Sequence, residues 1–125
     1  MHRTIKFKST FANEWQFDAQ NSPIAPGARE LAEAVRQEVS KRVSAITPVE
    51  QHSYYGWRFD VTFKGSDFVN VINPTDECFL TASTNWHWWR MLLIQRPRFV
   101  FDEYCRILAE ALAAIPQVSN VVWVQ

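Results

Sequence analysis

Between Gly56 and Lys64 the chain reads GWRFDVTFK, with Trp57, Phe59, Val61 and Phe63 alternating with Arg58, Asp60, Thr62 and Lys64. Successive side chains of a strand point to opposite faces. This pattern therefore predicts a strand with one face in a core and the other in water. Residues 3–9 show the same period more briefly, with Ile5 and Phe7 against Lys6 and Lys8. Trp15 and Phe17 repeat it as a candidate hairpin partner of that first strand. After the expected turn at Gly65-Ser66-Asp67, residues 68–72 form a second central strand. A further turn, Pro74-Thr75-Asp76-Glu77, leads into a third over 78–83, with Cys78, Leu80 and Ala82 on one face. The β-branched run 118–124 makes a final strand.

Two segments change the period. Leu31, Val35, Val39, Val43 and Ile46 recur at spacings of three and four, the single apolar stripe of a helix running to about Ile46. Pro26 is placed for its first turn, Pro48 for its end, and Glu38 and Arg42 for a favourable pair on its wet side. Beyond Arg96-Pro97, the residues Val100, Tyr104, Ile107, Leu108, Ala111, Leu112 and Ile115 form a second stripe, which Pro116 ends. The order β(β)-α-β-β-β-α-β predicts an α+β domain over residues 1–125. Its core would be an antiparallel sheet of about five strands with two helices packed on one face. Parallel crossovers do not fit, because the connections between the central strands are too short.

Composition narrows the function. The 125 residues carry 13 basic and 13 acidic side chains, a net charge of zero, which argues against generic nucleic-acid binding. The charge is nevertheless segregated. Residues 47–85 hold Glu50, Asp60, Asp67, Asp76 and Glu77 against Arg58 and Lys64, a balance of −3, whereas 86–100 hold only Arg90, Arg96 and Arg98, a balance of +3. The blocks can neutralise each other, or one can face a charged partner. Arg96 and Arg98 stand where the second helix begins, at the positive end of its dipole. Pairing with Asp67, Asp76 or Glu77 is the favoured reading for them, with capture of an anion the other. Asp102-Glu103 suits the same helix end electrostatically. Cys78 and Cys105 lie in apolar runs without a CxxC, so two reduced, buried thiols are expected. No stretch approaches 18 apolar residues and no signal-peptide pattern opens the chain, so the expected location is cytoplasmic, with no membrane partner.

No phosphate-binding, metal-binding or nucleophile motif is present, and the reading is of a protein that is not an enzyme and has no cofactor or metal. An alternative is a small enzyme or ligand binder using His52, Tyr54 or Tyr55 with His87, residue types suited to proton transfer. Another is a structural domain of a larger bacterial or phage assembly.

The densest cluster is NWHWWR, residues 85–90, with three of the chain's six tryptophans. As a strand it would put Trp86, Trp88 and Arg90 on one face and His87 and Trp89 on the other. As a helical turn, Trp86, Trp89 and Leu93 would form the stripe. Either way at least one Trp leaves the face that buries the rest, and Trp and Arg are enriched at interface hot spots. The candidate partner-binding residues are thus Trp86, Trp88 and Arg90, with Asp67, Asp76 and Glu77 as a second patch.

Gly56-Trp57-Arg58-Phe59, Asp76-Glu77-Cys78-Phe79-Leu80, the aromatic segment 86–89 and the ending Pro116-Gln117-Val118-Ser119-Asn120-Val121-Val122-Trp123 together resemble a set of small bacterial proteins. Several of these are similar to immunity proteins, which protect cells from polymorphic or contact-dependent toxins. The resemblance covers residues 56–125 and carries over no functional residue position by position. It implies a binder, monomeric or homodimeric, that occludes a cognate toxin domain.

Overall fold

A computed structural model describes residues 1–84 and 97–124. Its elements in chain order are β1 (His2–Ser9), β2 (Gln16–Phe17), β3 (Pro23–Ala25), α1 (Arg29–Ser40), β4 (Ala45–Ile46), β5 (Glu50–His52), β6 (Gly56–Phe63), β7 (Ser66–Pro74), β8 (Cys78–Thr84), α2 (Pro97–Ala113) and β9 (Val118–Val124). The architecture is α+β. A seven-stranded antiparallel sheet has the order β4-β6-β7-β8-β1-β9, with β5 also paired to β6, and β2 and β3 form a separate two-stranded ribbon. Two more strands join the sheet than the alternation predicts, because β4 and β5 are too short to show a period.

The β6–β7 hairpin turns through Lys64 and Gly65, at φ 50° and 78°, with Phe63 opposite Ser66. Positive φ at both central residues is the two-residue turn that matches strand twist, and Gly65 takes it without a Cβ penalty. The turn is therefore tighter than Gly65-Ser66-Asp67, and Asp67 belongs to a strand, opposite Thr62.

Three other expectations are corrected. First, β2 pairs with β3 and not with β1. Both sides of β1 are already occupied, by β8 and β9. The segment carrying β2 is instead pinned to the β7–β8 end, where Asn13 Nδ2 and Trp15 Nε1 donate to the Pro74 carbonyl at 2.8 and 3.3 Å. Second, α1 stops at Ser40, short of Ile46. The backbone N–H groups of Ser44 and Thr47 donate to the Thr62 and Asp60 carbonyls at 3.3 and 2.9 Å, so sheet pairing takes over from the helix. The apolar spacing of Val43 and Ile46 continues only by sequence. Third, Pro26 precedes the helix. Ala28 is the N-cap, in the left-handed region at φ 58°. Gly27 before it is closely packed: a Cβ there would meet the backbone of Asn13 and Glu14 at 2.8 Å, while its carbonyl accepts the Trp57 indole N–H at 2.8 Å. The predicted pair of Glu38 and Arg42 is present at 3.1 Å. Lys41 and Arg42 together hold the Glu38 carboxyl below its ordinary range.

The helices contribute Leu31, Ala32, Val35 and Val39 from α1 and Phe101, Tyr104, Cys105, Leu108, Ala111 and Leu112 from α2 to one cluster of buried side chains. The sheet adds Ile5, Phe7, Phe59, Val61, Phe68, Ile72, Leu80 and Ala82. Asn70 is the single buried polar side chain among the described residues. It accepts from the Tyr104 hydroxyl at 2.7 Å and donates to the Phe59 carbonyl at 3.2 Å. A buried amide is tolerated when its groups are paired in this way. Among the described residues, no helix is long and apolar enough to cross a membrane.

Cys78 and Cys105 are both free and buried, as the sequence implies. Burial raises both thiols, Cys105 from its ordinary 9.0 to about 11. The native state favours the neutral thiol, so this contribution is complete below pH 9 and lost as pH climbs toward 11. A rise of that size is equivalent to at most about 2–3 kcal/mol of stability. Urea midpoints measured at intervals from pH 8 to pH 11 should fall across this window, and fall less in Cys105→Ala. A thiol-reactive dye should label neither cysteine until the chain unfolds.

Candidate functional site

The pairing register fixes which residues share each face of the sheet. Ile5, Leu80, Ile72 and Trp57 lie in one row across β1, β8, β7 and β6, and all are buried beneath the helix layer. Residues of the opposite parity form the other face, which no described element covers. One of its rows runs Val124, Thr4, Thr81, Val71, Arg58 and Glu50 from β9 to β5. A second runs Val122, Lys6, Phe79 and Asn73, and a third His2, Ser83, Val69 and Asp60. Of these, Val122 and Val124 are 49% and 46% exposed. Thr4, Lys6, Val69, Val71, Phe79 and Thr81 are part-buried by their strand neighbours.

Chemically the face has three zones. Lys6 and Lys8 from β1 make one side basic. Val69, Val71 and Phe79 form an apolar centre, flanked by the hydroxyls of Thr4 and Thr81, which are hydrogen-bonded to each other at 3.0 Å. Asp60, Asp67 and Glu50 make the other side acidic. There Arg58 donates to Asp60 through two nitrogens, Nε at 2.9 Å and Nη2 at 3.0 Å. Asp60 thereby raises the Arg58 guanidinium above its ordinary range. Such a fork is geometrically specific as well as charge-assisted. Thr62 donates to Asp67 at 2.9 Å, and a shallow cavity of about 260 Å³ lies between β4 and these strands, lined by Thr47, Asp60, Thr62 and Asp67.

The sequence-predicted acidic patch is divided by this geometry. Asp67 sits at the β6–β7 end of the hairpin strands. Asp76 and Glu77 lie in the turn at the other end, roughly 20–25 Å away by strand rise. Asp76 is exposed, and Glu77 pairs with Lys6 at 3.6 Å. Asp67 and Glu77 therefore flank the same open face from opposite corners. Arg98 is exposed and makes no ion pair with Asp76 or Glu77, so the expected pairing with those acids is absent among the described residues. Trp86, Trp88 and Arg90 lie outside the described residues, as do His87 and Arg96. His52, Tyr54 and Tyr55 stand exposed at the β5–β6 connection, with the two tyrosines 58% and 56% exposed.

The residues that sequence reading passed over are Val69, Val71, Phe79, Val122 and Val124. Their signal is apolar identity at positions whose parity should be polar. The strand face of β6 with Arg58, Asp60 and Thr62 looks ordinary alone. Only the register shows that it continues into part-buried Val69, Val71 and Phe79 on β7 and β8 and exposed Val122 and Val124 on β9.

The chain matches no family model, and neither the curated proteins nor the solved structures provide a match.

Proposed function

We propose that this chain is a non-catalytic protein-binding domain that holds and occludes a cognate bacterial toxin domain, in the manner of an immunity protein. The observation that supports it is the open sheet face, with an apolar centre of Val69, Val71 and Phe79 between a basic and an acidic side. An interface core depleted in charge with a charged rim is the usual anatomy of a protein-binding patch. Opposite charges on its two sides fix the orientation of a partner of complementary pattern and speed its encounter. Trp86, Trp88 and Arg90 belong to the same reading as aromatic and cationic anchors, and Asp67, Asp76 and Glu77 as its acidic contacts. The reading calls for no cofactor, nucleic acid or membrane. Two free buried thiols suit a reducing, cytoplasmic setting.

Co-expression with the product of the adjacent gene tests this. The expected result is that the neighbour arrests growth alone, and that this chain restores growth and co-purifies with it. A neighbour without toxicity, or one that this chain neither neutralises nor retains, removes the reading.

A further inference from the structure

The two edges of the sheet are treated differently by the sequence. One edge is broken into β4, of two residues, and β5, of three, on either side of Thr47-Pro48-Val49. Proline removes a backbone donor and Glu50 adds charge, both of which blunt an edge against further pairing. The other edge is β9, seven residues reading VSNVVWV, with no charge and no proline. Its inner side pairs with β1, and no described strand pairs with its outer side. The one interruption is a bulge where Asn120, at φ 54°, and Val121 lie between the pairs Lys6–Val122 and Lys8–Ser119. Beyond it, residues 122–124 are regular. Val122 and Val124 are 49% and 46% exposed on the open face, and Trp123 on the other side is covered by the Arg3 guanidinium at 4.1 Å.

We propose that the outer edge of β9 pairs antiparallel with β9 of a second copy of this chain, about a two-fold axis through residues 122–124. Alternate backbone N–H and C=O groups of an edge strand point outward and serve an incoming strand. A second copy is the occupant that the edge fits. Antiparallel pairing of a strand with itself satisfies the isologous symmetry of a two-fold dimer. The strand has no charge to repel its own copy and none to select a charged foreign segment. The exposed valines of both copies would meet as cross-strand neighbours, a favourable β-branched pairing. The bulge limits the paired length to a few residues, so the dimer should be weak and concentration-dependent.

Sedimentation velocity from low micromolar to several hundred micromolar tests it. The wild-type mass should rise from 14.6 kDa toward twice that value. Val122→Lys with Val124→Lys gathers four ammonium groups at the axis and should hold the chain monomeric at every concentration, with a thermal midpoint only slightly lowered by the new charge opposite Lys6. Val71→Arg, on the open face away from the edge, should still dimerise. Under oxidation, Val122→Cys, alone or with Val124→Cys, should give a disulfide-linked dimer, since Cys78 and Cys105 are buried and do not compete. A wild-type chain that stays monomeric throughout overturns the proposal. So does a dimer that survives the double lysine change, or one that Val71→Arg abolishes.

Discussion

Alanine in place of Phe68 should lower the free energy of unfolding by about 3–5 kcal/mol, the range for deleting a large aromatic side chain from a core. Phe68 is 1% exposed on β7 and stacks on Tyr104 with ring centroids 4.5 Å apart and planes within 6°. Phe101 also packs against Phe68 at 5.7 Å, and Phe63 reaches Tyr104 at 6.2 Å. These rings fasten α2 to the middle of the sheet. Hydrogen bonding to β6 on one side and β8 on the other fixes the backbone of β7, so the site cannot collapse onto the missing ring. A domain of this size is stable by only about 5–15 kcal/mol, so a large share of that stability goes. Urea unfolding should show a lower midpoint with an unaltered slope. Phe99, 73% exposed near the start of α2, provides the contrast. Its alanine variant should change stability by less than about 0.5 kcal/mol. Equal losses at the two positions would show that the α2 face is wrongly assigned.

The second large effect concerns polarity rather than volume. Asn70→Ala should cost about 2–4 kcal/mol, combining a small cavity with stranded polar groups. The Tyr104 hydroxyl loses its acceptor, 2.7 Å away, and the Phe59 carbonyl loses a donor. Water cannot replace them, because Asn70 and Tyr104 are both 0% exposed. Tyr104→Phe alone should cost about 1–3 kcal/mol by leaving the Asn70 amide oxygen bare. The double variant should cost less than the two single changes together, since each leaves behind the partner that the other removes. Additive losses in such a cycle would mean that the pair does not interact. Burial also keeps the Tyr104 phenol neutral, raising it well above its ordinary value of 10.0. Its share of stability is therefore present below that pH and decreases as pH rises beyond it, in the same direction as Cys105.

Much of this fold was legible in the sequence where a period ran long enough to be unambiguous. The alternation in β6, the parity of Cys78, Leu80 and Ala82 in β8, and the stripe of Tyr104, Leu108 and Leu112 in α2 all meet their expected burial. Edges were not legible. At the end of α1 the apolar spacing continues through Val43 and Ile46, yet the decisive factor is a pairing with Thr62 and Asp60, residues far along the chain. The same limit applies to the candidate face. Asp67 and Asp76 look like one acidic patch in sequence, and only the two-residue turn at Lys64-Gly65 puts Asp67 on a strand at the far corner from the β7–β8 turn. Val71 and Phe79 are unremarked in a linear reading, because an apolar residue in a strand is normally credited to the core. Register assigns them to the side that no described element covers.

The central claim is that this sheet face, which no described element covers, and not the helix layer, receives a protein. Isothermal titration of the purified chain into the purified product of the adjacent gene measures it directly, with wild type beside Val71→Arg. Val71 is at the centre of the face, outside the buried core, so the variant should stay folded, with a thermal midpoint lowered only slightly by the new charge opposite Arg58. The prediction is a tight one-to-one complex for wild type and a loss of at least about 2 kcal/mol, roughly 30-fold in affinity, for Val71→Arg. Equal affinity of the two chains, or no heat of binding from either, would contradict it.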